Sequence, residues 1–202
     1  MTFLEPPTLT GRHVILEPLR CEHHDGLVAA ALDGELWNLW YTSVPKPEDM
    51  AAEIDRRLGM QAQGSMLPFT TRLIDPVTGG PGRIIGTTTY CNIDAVTPRL
   101  EIGYTWNAAS VHGTGTNPDS KFLLLQHAFE TLGCVAVEFR THWMNQQSRE
   151  AISRLGAKQD GVLRSLSRTA DGVLRDYVVF SILEHEWPMV RNGLEHRLAK
   201  RP

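Results

Sequence analysis

The chain has 202 residues, with 20 Lys+Arg against 23 Asp+Glu and a formal net charge of -3. Domains run to about 100–200 residues, so 1–202 reads as one domain, able to bury roughly 70% of its unfolded surface without metal or disulfide. The near-balanced charge excludes a dedicated nucleic-acid binder, and no run of about 18 apolar residues marks a membrane span.

In chain order, residues 11–19 (GRHVILEPL) alternate as a strand, with Val14 and Leu16 on one face. Residues 21–32 read as a helix, and a short helical piece follows with Trp37, Leu39, Trp40 and Tyr41. Pro47 opens the next helix, which runs through Met50, Ile54 and Leu58 to about Gln63. Residues 67–75 and 83–93 form a hairpin around the Pro- and Gly-rich turn 75–82. Residues 98–106 are a third strand; strict alternation puts Leu100, Ile102, Tyr104 and Trp106 on one face and Glu101, Gly103 and Thr105 on the other.

The second half alternates. A helix covers about 118–132, with Phe122, Leu125, Phe129 and Leu132 on one stripe, and Gly133 ends it. A strand at 134–141 and a short helix at 146–155, closed by Gly156, come next. Residues 157–167 and 172–183 make a hairpin around 169–172, and a terminal helix from about Glu184 carries Trp187, Val190 and Leu194. Helices packed on a mixed sheet make this an α+β chain.

Three odd and widely spaced cysteines, Cys21, Cys91 and Cys134, fit a reducing compartment rather than a disulfide framework. Residues 1–7 carry neither the basic start nor the apolar run of a leader, so the expected location is cytoplasmic. His23-His24-Asp25 has metal-like composition, but adjacent helical residues point apart and a solvated face is expected.

The chemistry concentrates between the third strand and the long helix. Residues His112, Gly113, Thr114, Gly115, Thr116 and Asn117 feed a helix N-terminus, whose N–H groups and positive dipole end bind phosphate. No Gly-Lys-Ser/Thr makes a Walker loop, and the third glycine of a dinucleotide fingerprint is missing. Asn117 reads as the helix cap, with Pro118 in the first turn. Asp119 is an unfavourable neighbour for a pyrophosphate, and Lys121 is placed to offset it.

Taken together, Leu9 to Val14 (LTGRHV), Glu101-Ile102-Gly103-Tyr104, His112 to Gly115, Asn145 to Ser148 and Leu155-Gly156-Ala157 resemble the GNAT superfamily of acetyl-CoA-dependent N-acetyltransferases, in its RimJ/RimL-like branch. The resemblance spans about residues 9–187. It implies a GNAT-like acyl-CoA N-acyltransferase fold, with a mixed, mostly antiparallel seven-stranded sheet flanked by helices. The family signature Gln/Arg-x-x-Gly-x-Gly/Ala falls on His112 to Asn117, with His112 and Asn117 departing from it. It further implies a strand that splays from its neighbour after Glu101, making the cleft for the pantetheine arm of coenzyme A.

On that reading Glu101 is the candidate base that takes the amine proton; the other reading is a structural Glu paired with Arg99 or Arg83, or merely exposed. Ser148 shares an inward helix face with Ile152 and Leu155 and is the candidate acid toward the thiolate, or a first-turn serine satisfying free N–H groups. Asn145 contacts the coenzyme A arm or caps the helix. N–H groups near Trp106 and Asn107 are candidates to polarise the thioester carbonyl. Tyr177 is either a cleft acid or sheet packing. Trp37, Trp40 and Tyr41 are the candidate acceptor wall, holding an amine by cation–π contact, or alternatively core or dimer interface. His142-Trp143-Met144 shapes the pocket mouth.

The expected activity is acetyl transfer from acetyl-CoA to a primary amine, a protein N-terminus or a small molecule, by direct attack in a ternary complex. The competing class is a non-catalytic acyl-CoA-binding regulatory module on the same fold. Neither nucleic acid nor membrane is an expected partner, no metal is expected, and a homodimer is compatible with the exposed aromatic residues.

Overall fold

The computed structural model describes residues 5–42, 44–169 and 171–200. Among the described residues, eight strands form one sheet in the order β1-β2-β3-β4-β5-β6-β8-β7. They are β1 (Leu9–Thr10), β2 (Val14–Pro18), β3 (Met66–Ile74), β4 (Pro81–Asp94), β5 (Arg99–Asn107), β6 (Ala136–His142), β7 (Lys158–Arg168) and β8 (Leu174–Leu183). Five longer helices are α1 (His24–Leu32), α2 (Met50–Ala62), α3 (Thr116–Gln126), α4 (Gln146–Ser153) and α5 (Trp187–Ala199). Every strand pair is antiparallel except β5 with β6, whose connection runs through α3.

The eighth strand comes from the first segment. Gly11 donates its N–H to Val14 O at 2.9 Å, so 9–19 folds back as a tight hairpin instead of running as one strand. Residue Ala170, in the expected turn between β7 and β8, and residues 1–4 of the leader reading lie outside the described residues. In the aromatic segment only Leu36–Asn38 forms a helical turn, and Trp40 and Tyr41 follow it in the loop.

α1 and α2 pack on one face of the sheet and α3 and α5 on the other. The core between them includes Leu16, Leu27, Met50, Phe69, Ile85, Leu100, Leu124, Phe139 and Ile182, all buried. Burial of such apolar side chains, about 1.5–3 kcal/mol each, is the driving force that holds the layers together.

α3 begins at Thr116, two residues earlier than its sequence pattern suggested, and Gly115 rather than Asn117 takes the capping position. The helix is held at both ends. Asp119 is buried and accepts the N–H groups of His13 at 2.7 Å and Val14 at 3.1 Å. Tyr90 donates its hydroxyl to Leu124 O at 2.6 Å. Asp119 therefore points back into the β1–β2 turn, and the expected conflict between it and a phosphate does not arise.

Candidate active site

β5 and β6 pair at only three positions, ending at Glu101↔Glu138. β5 then continues to Asn107 and β6 to His142 without pairing, so the sheet opens into a wedge. A cleft of about 1010 Å³ fills it.

A bulge sets which side chains enter the cleft. Thr87 pairs with Trp106 and Thr89 with Gly103, so β5 carries one more residue than β4 between those pairs. Tyr104 sits there with φ 49°, a left-handed conformation unusual for a non-glycine residue. The extra residue reverses the alternation. Trp106 lies on the face of Glu101 and Gly103, opposite to the strict two-residue pattern, and Tyr104 turns to the same side, under the guanidiniums of Arg56 at 5.5 Å and Arg57 at 5.3 Å. Thr105 goes to the α3 side and meets Thr88 Oγ1 at 2.8 Å.

Glu101 stands where β5 and β6 part, and is only 8% exposed. Its Oε2 accepts Asn92 Nδ2 at 2.8 Å and lies 3.3 Å from Arg140 Nε, an ion pair without hydrogen-bond alignment. Arg99 and Arg83, the partners weighed from the sequence, go elsewhere: Arg99 to Glu138 and Arg83 to Ser110 and Asp33. Burial raises the Glu101 carboxyl above its ordinary range, and Asn92 and Arg140 only partly offset this. A side chain at position 103 would place its Cβ 3.1 Å from Glu101 Oε1, so Gly103 leaves that oxygen uncovered toward the cleft.

The loop from Asn107 to Thr116 forms one rim. Gly113 has φ 76° and nothing within 4 Å of where a Cβ would stand, so the loop surface there is open. The first helical bond of α3 runs from Asp119 N–H to Gly115 O, leaving the N–H groups of Gly115 and Asn117 without a partner inside the helix. Asn107 pairs with Gly86 while Ala108 N–H donates to Ile85 O at 2.7 Å. In an antiparallel ladder this pattern turns the N–H and C=O of Asn107 away from β4, toward the open wedge. Its carbonyl meets His112 Nε2 at 2.8 Å.

Lys121 contributes an unforeseen feature. Its ammonium reaches Thr105 Oγ1 at 2.6 Å and Thr88 Oγ1 at 3.1 Å, beneath the cleft, with no carboxylate partner among the described residues. Burial pushes its pKa down to about 7.

α4 forms the wall beside β6. Asn145 caps it by accepting Ser148 N–H at 3.0 Å. Ser148 lines the cleft above the buried Ile152 and Leu155.

The acceptor end is built from distant segments. Register puts Glu101, Glu138, Arg140 and His142 on one sheet face, followed by Tyr177, which pairs with His142, and Arg175 two residues before it. Trp40 stands edge-on to His142 at 5.4 Å and to Tyr41 at 5.6 Å. Tyr41 and Tyr177 line the cleft, whereas Trp37 packs against the core. His142 Nδ1 accepts Met144 N–H at 3.1 Å, so its ring proton sits on Nε2 and burial keeps the ring below its ordinary pKa. His23 is buried against Thr70 and Glu17 rather than solvated, while His24 is paired with Asp25. Among the described residues no group of His, Cys, Asp and Glu could hold a metal ion.

The sequence reading missed Arg57, Arg140 and Arg175. Arg140 follows Glu138 by two residues and Arg175 precedes Tyr177 by two, so alternation alone would have placed each with its neighbour. Nothing local says that both strands border the cleft.

A family model of the acetyltransferase (GNAT) domain matches residues 13–158. The chain belongs to the GNAT family. It is an N-acetyltransferase, and acetyl-CoA is its acetyl donor. Among solved structures, a candidate acetyltransferase is 32% identical with a TM-score of 0.82, covering 96% of this chain and 95% of that one. A GCN5-related N-acetyltransferase from Brucella melitensis is 26% identical with a TM-score of 0.82, covering 96% and 86%. Mycobacterium smegmatis RimJ, solved in complex with CoA-disulfide, is 22% identical with a TM-score of 0.78, covering 97% and 96%. No curated protein matches the chain. Among the described residues, no helix is long and apolar enough to cross a membrane.

The residues fit coenzyme A. The wedge is an open cleft of about 1010 Å³, and its rim is an open glycine turn at a helix N-terminus. The cleft lining holds Arg57, Lys121, Arg140, Arg154, Arg175 and Arg197 against the single carboxylate of Glu101.

Proposed function

We propose that the chain acetylates a primary amine by direct attack in a ternary complex, with Glu101 as general base, as a member of the RimJ/RimL-like branch. The observation that carries this is the buried carboxylate at the point where β5 and β6 separate, its Oε1 facing the cleft over Gly103. The likeness to a RimJ structure holding CoA-disulfide supports reading the wedge as the coenzyme A site.

Bound acetyl-CoA supplies a thioester carbonyl that an amine can attack. The chain's own residues do the rest. The N–H groups of Gly115 and Asn117, at the positive end of α3, receive the pyrophosphate. The Asn107 N–H, turned to the wedge, is the donor for a carbonyl oxygen. Glu101 Oε1 accepts the amine proton; burial raises its pKa, which brings it nearer that of the amine. Asn92 and Arg140 bind the other oxygen and fix the carboxylate plane. His142 does not compete as base, because its only unprotonated nitrogen already accepts Met144 N–H. Ser148 supplies a hydroxyl at the α4 wall, to protonate the departing sulfur. Holding both substrates in one wedge contributes much of the acceleration.

The test is thiol release from acetyl-CoA across a panel of amines and N-terminal peptides. Turnover with at least one primary amine, reduced at least about a hundredfold by Glu101→Gln, is the expected result. Coenzyme A binding without turnover on any acceptor would overturn it.

A further inference from the structure

The acceptor wall carries a charge that acetyl transfer itself does not use. Arg57 pairs with Glu53, and Arg140 with Glu101 and Glu138. Arg175 forms no ion pair among the described residues. It donates one N–H to Trp40 O at 2.8 Å, and its neighbour Asp176 is taken by Arg164. Beside it, His142 offers a donor at Nε2, and Trp40 and Tyr177 supply aromatic surface. A partly buried guanidinium with spare donors, set among rings and donors, suits a carboxylate.

The spacing narrows the class. Arg175 lies two residues beyond Tyr177, which pairs with His142, and His142 lies four beyond Glu138, the partner of Glu101. At about 3.3 Å per residue that is roughly 20 Å along the strands between the two backbones, a gap that the reach of the Glu101 and Arg175 side chains shortens from its two ends. The amine and carboxylate of a free amino acid are too close together to reach both. An extended peptide covers about 10 Å in three residues.

We propose that the acceptor is the N-terminus of an extended peptide with an acidic side chain at its second or third residue, held by Arg175 and His142 while the amine meets Glu101. This rests on the amine acetylation proposed above.

The experiment uses the full chain, acetyl-CoA and three otherwise identical hexapeptides beginning Ser-Ala-Glu, Ser-Ala-Gln and Ser-Ala-Lys. Thiol release should favour the Glu peptide over the Gln peptide by about tenfold or more in kcat/KM, carried mainly by KM, with the Lys peptide poorest. Arg175→Gln should collapse that ratio toward one, and Arg175→Lys should retain part of it. Gln or Lys peptides turned over as well as Glu, or free amino acids preferred to all three, would overturn the proposal while leaving amine acetylation intact. An Arg175→Gln variant that slows all three peptides equally would overturn it as well, reducing Arg175 to a tether for the Trp40 loop. Calorimetry with the N-acetylated Glu and Gln peptides on the enzyme–coenzyme A complex reads the preference without turnover, and equal affinities there refute it. Loss of turnover with every amine would instead refute the acetylation reading itself.

Discussion

The two sides of the wedge are made differently. The donor rim is backbone: a turn at Gly113, the first N–H groups of α3 and the Asn107 peptide. The acceptor wall is side chains from the 39–42 loop, α2, β5, β6 and β8. A site made of N–H groups tolerates changes of side chain, so on the proposed reading His112 and Asn117 depart from the family signature without removing the cradle. A wall made of side chains changes with each substitution, so specificity belongs there.

Glu101→Gln should be the most damaging change to the shared centre, costing at least about a hundredfold in kcat/KM with coenzyme A affinity retained. The pH profile sharpens this. Wild-type kcat/KM should fall as pH drops through the raised Glu101 pKa, because the protonated acid cannot accept the amine proton. In the variant that limb should vanish; a surviving limb at the same pH would remove Glu101 as base.

Gly113→Val tests the backbone rim. A β-branched residue at φ 76° is strained, and its side chain would stand over the open turn. Coenzyme A should bind about tenfold more weakly by calorimetry, with the acceptor KM little changed. The Arg175 variants are the mirror experiment: acceptor KM moves and coenzyme A affinity does not.

Ser148→Ala should lower kcat only severalfold. The cap survives, because Asn145 bonds the Ser148 backbone N–H rather than the hydroxyl. An unchanged kcat would return Ser148 to a simple first-turn residue.

Lys121→Met should leave the smallest mark on activity and a distinct one on stability. A lysine whose folded pKa is pushed down to about 7 from 10.5 binds its proton more tightly when unfolded. Wild-type stability should therefore rise with pH between about 7 and 10.5 and be lowest below that window. The variant should melt higher at neutral pH and lose that rise, as seen in thermal melts across the window.

The five longer helices, the β3–β4 and β7–β8 hairpins, the strand bearing Glu101 and the loop at 112–117 were legible because each is a local pattern. Local chemistry also identified the cap at Asn145. What sequence could not read came from pairing. Strict alternation misplaced Tyr104 and Trp106, because whether a strand carries an extra residue depends on what its neighbour does, and the bulge appears only against β4. The ion pairs offered for Glu101 were near it in sequence, whereas the partner that forms, Arg140, lies on β6.

The net charge of -3 illustrates the same division. By itself it excluded a dedicated nucleic-acid binder. Composition fixes only the sum. The fold gathers six basic side chains and the Glu101 carboxylate around the wedge, because α2, α3, β6, β8 and α5 bring one each and Arg154 follows α4. The sequence alone determined the element order apart from the β1–β2 hairpin, the glycine loop that leads into α3 and the place of Glu101 on its strand. Only the tertiary structure decided the cleft's polarity and its acceptor wall, since both depend on which distant strands become neighbours.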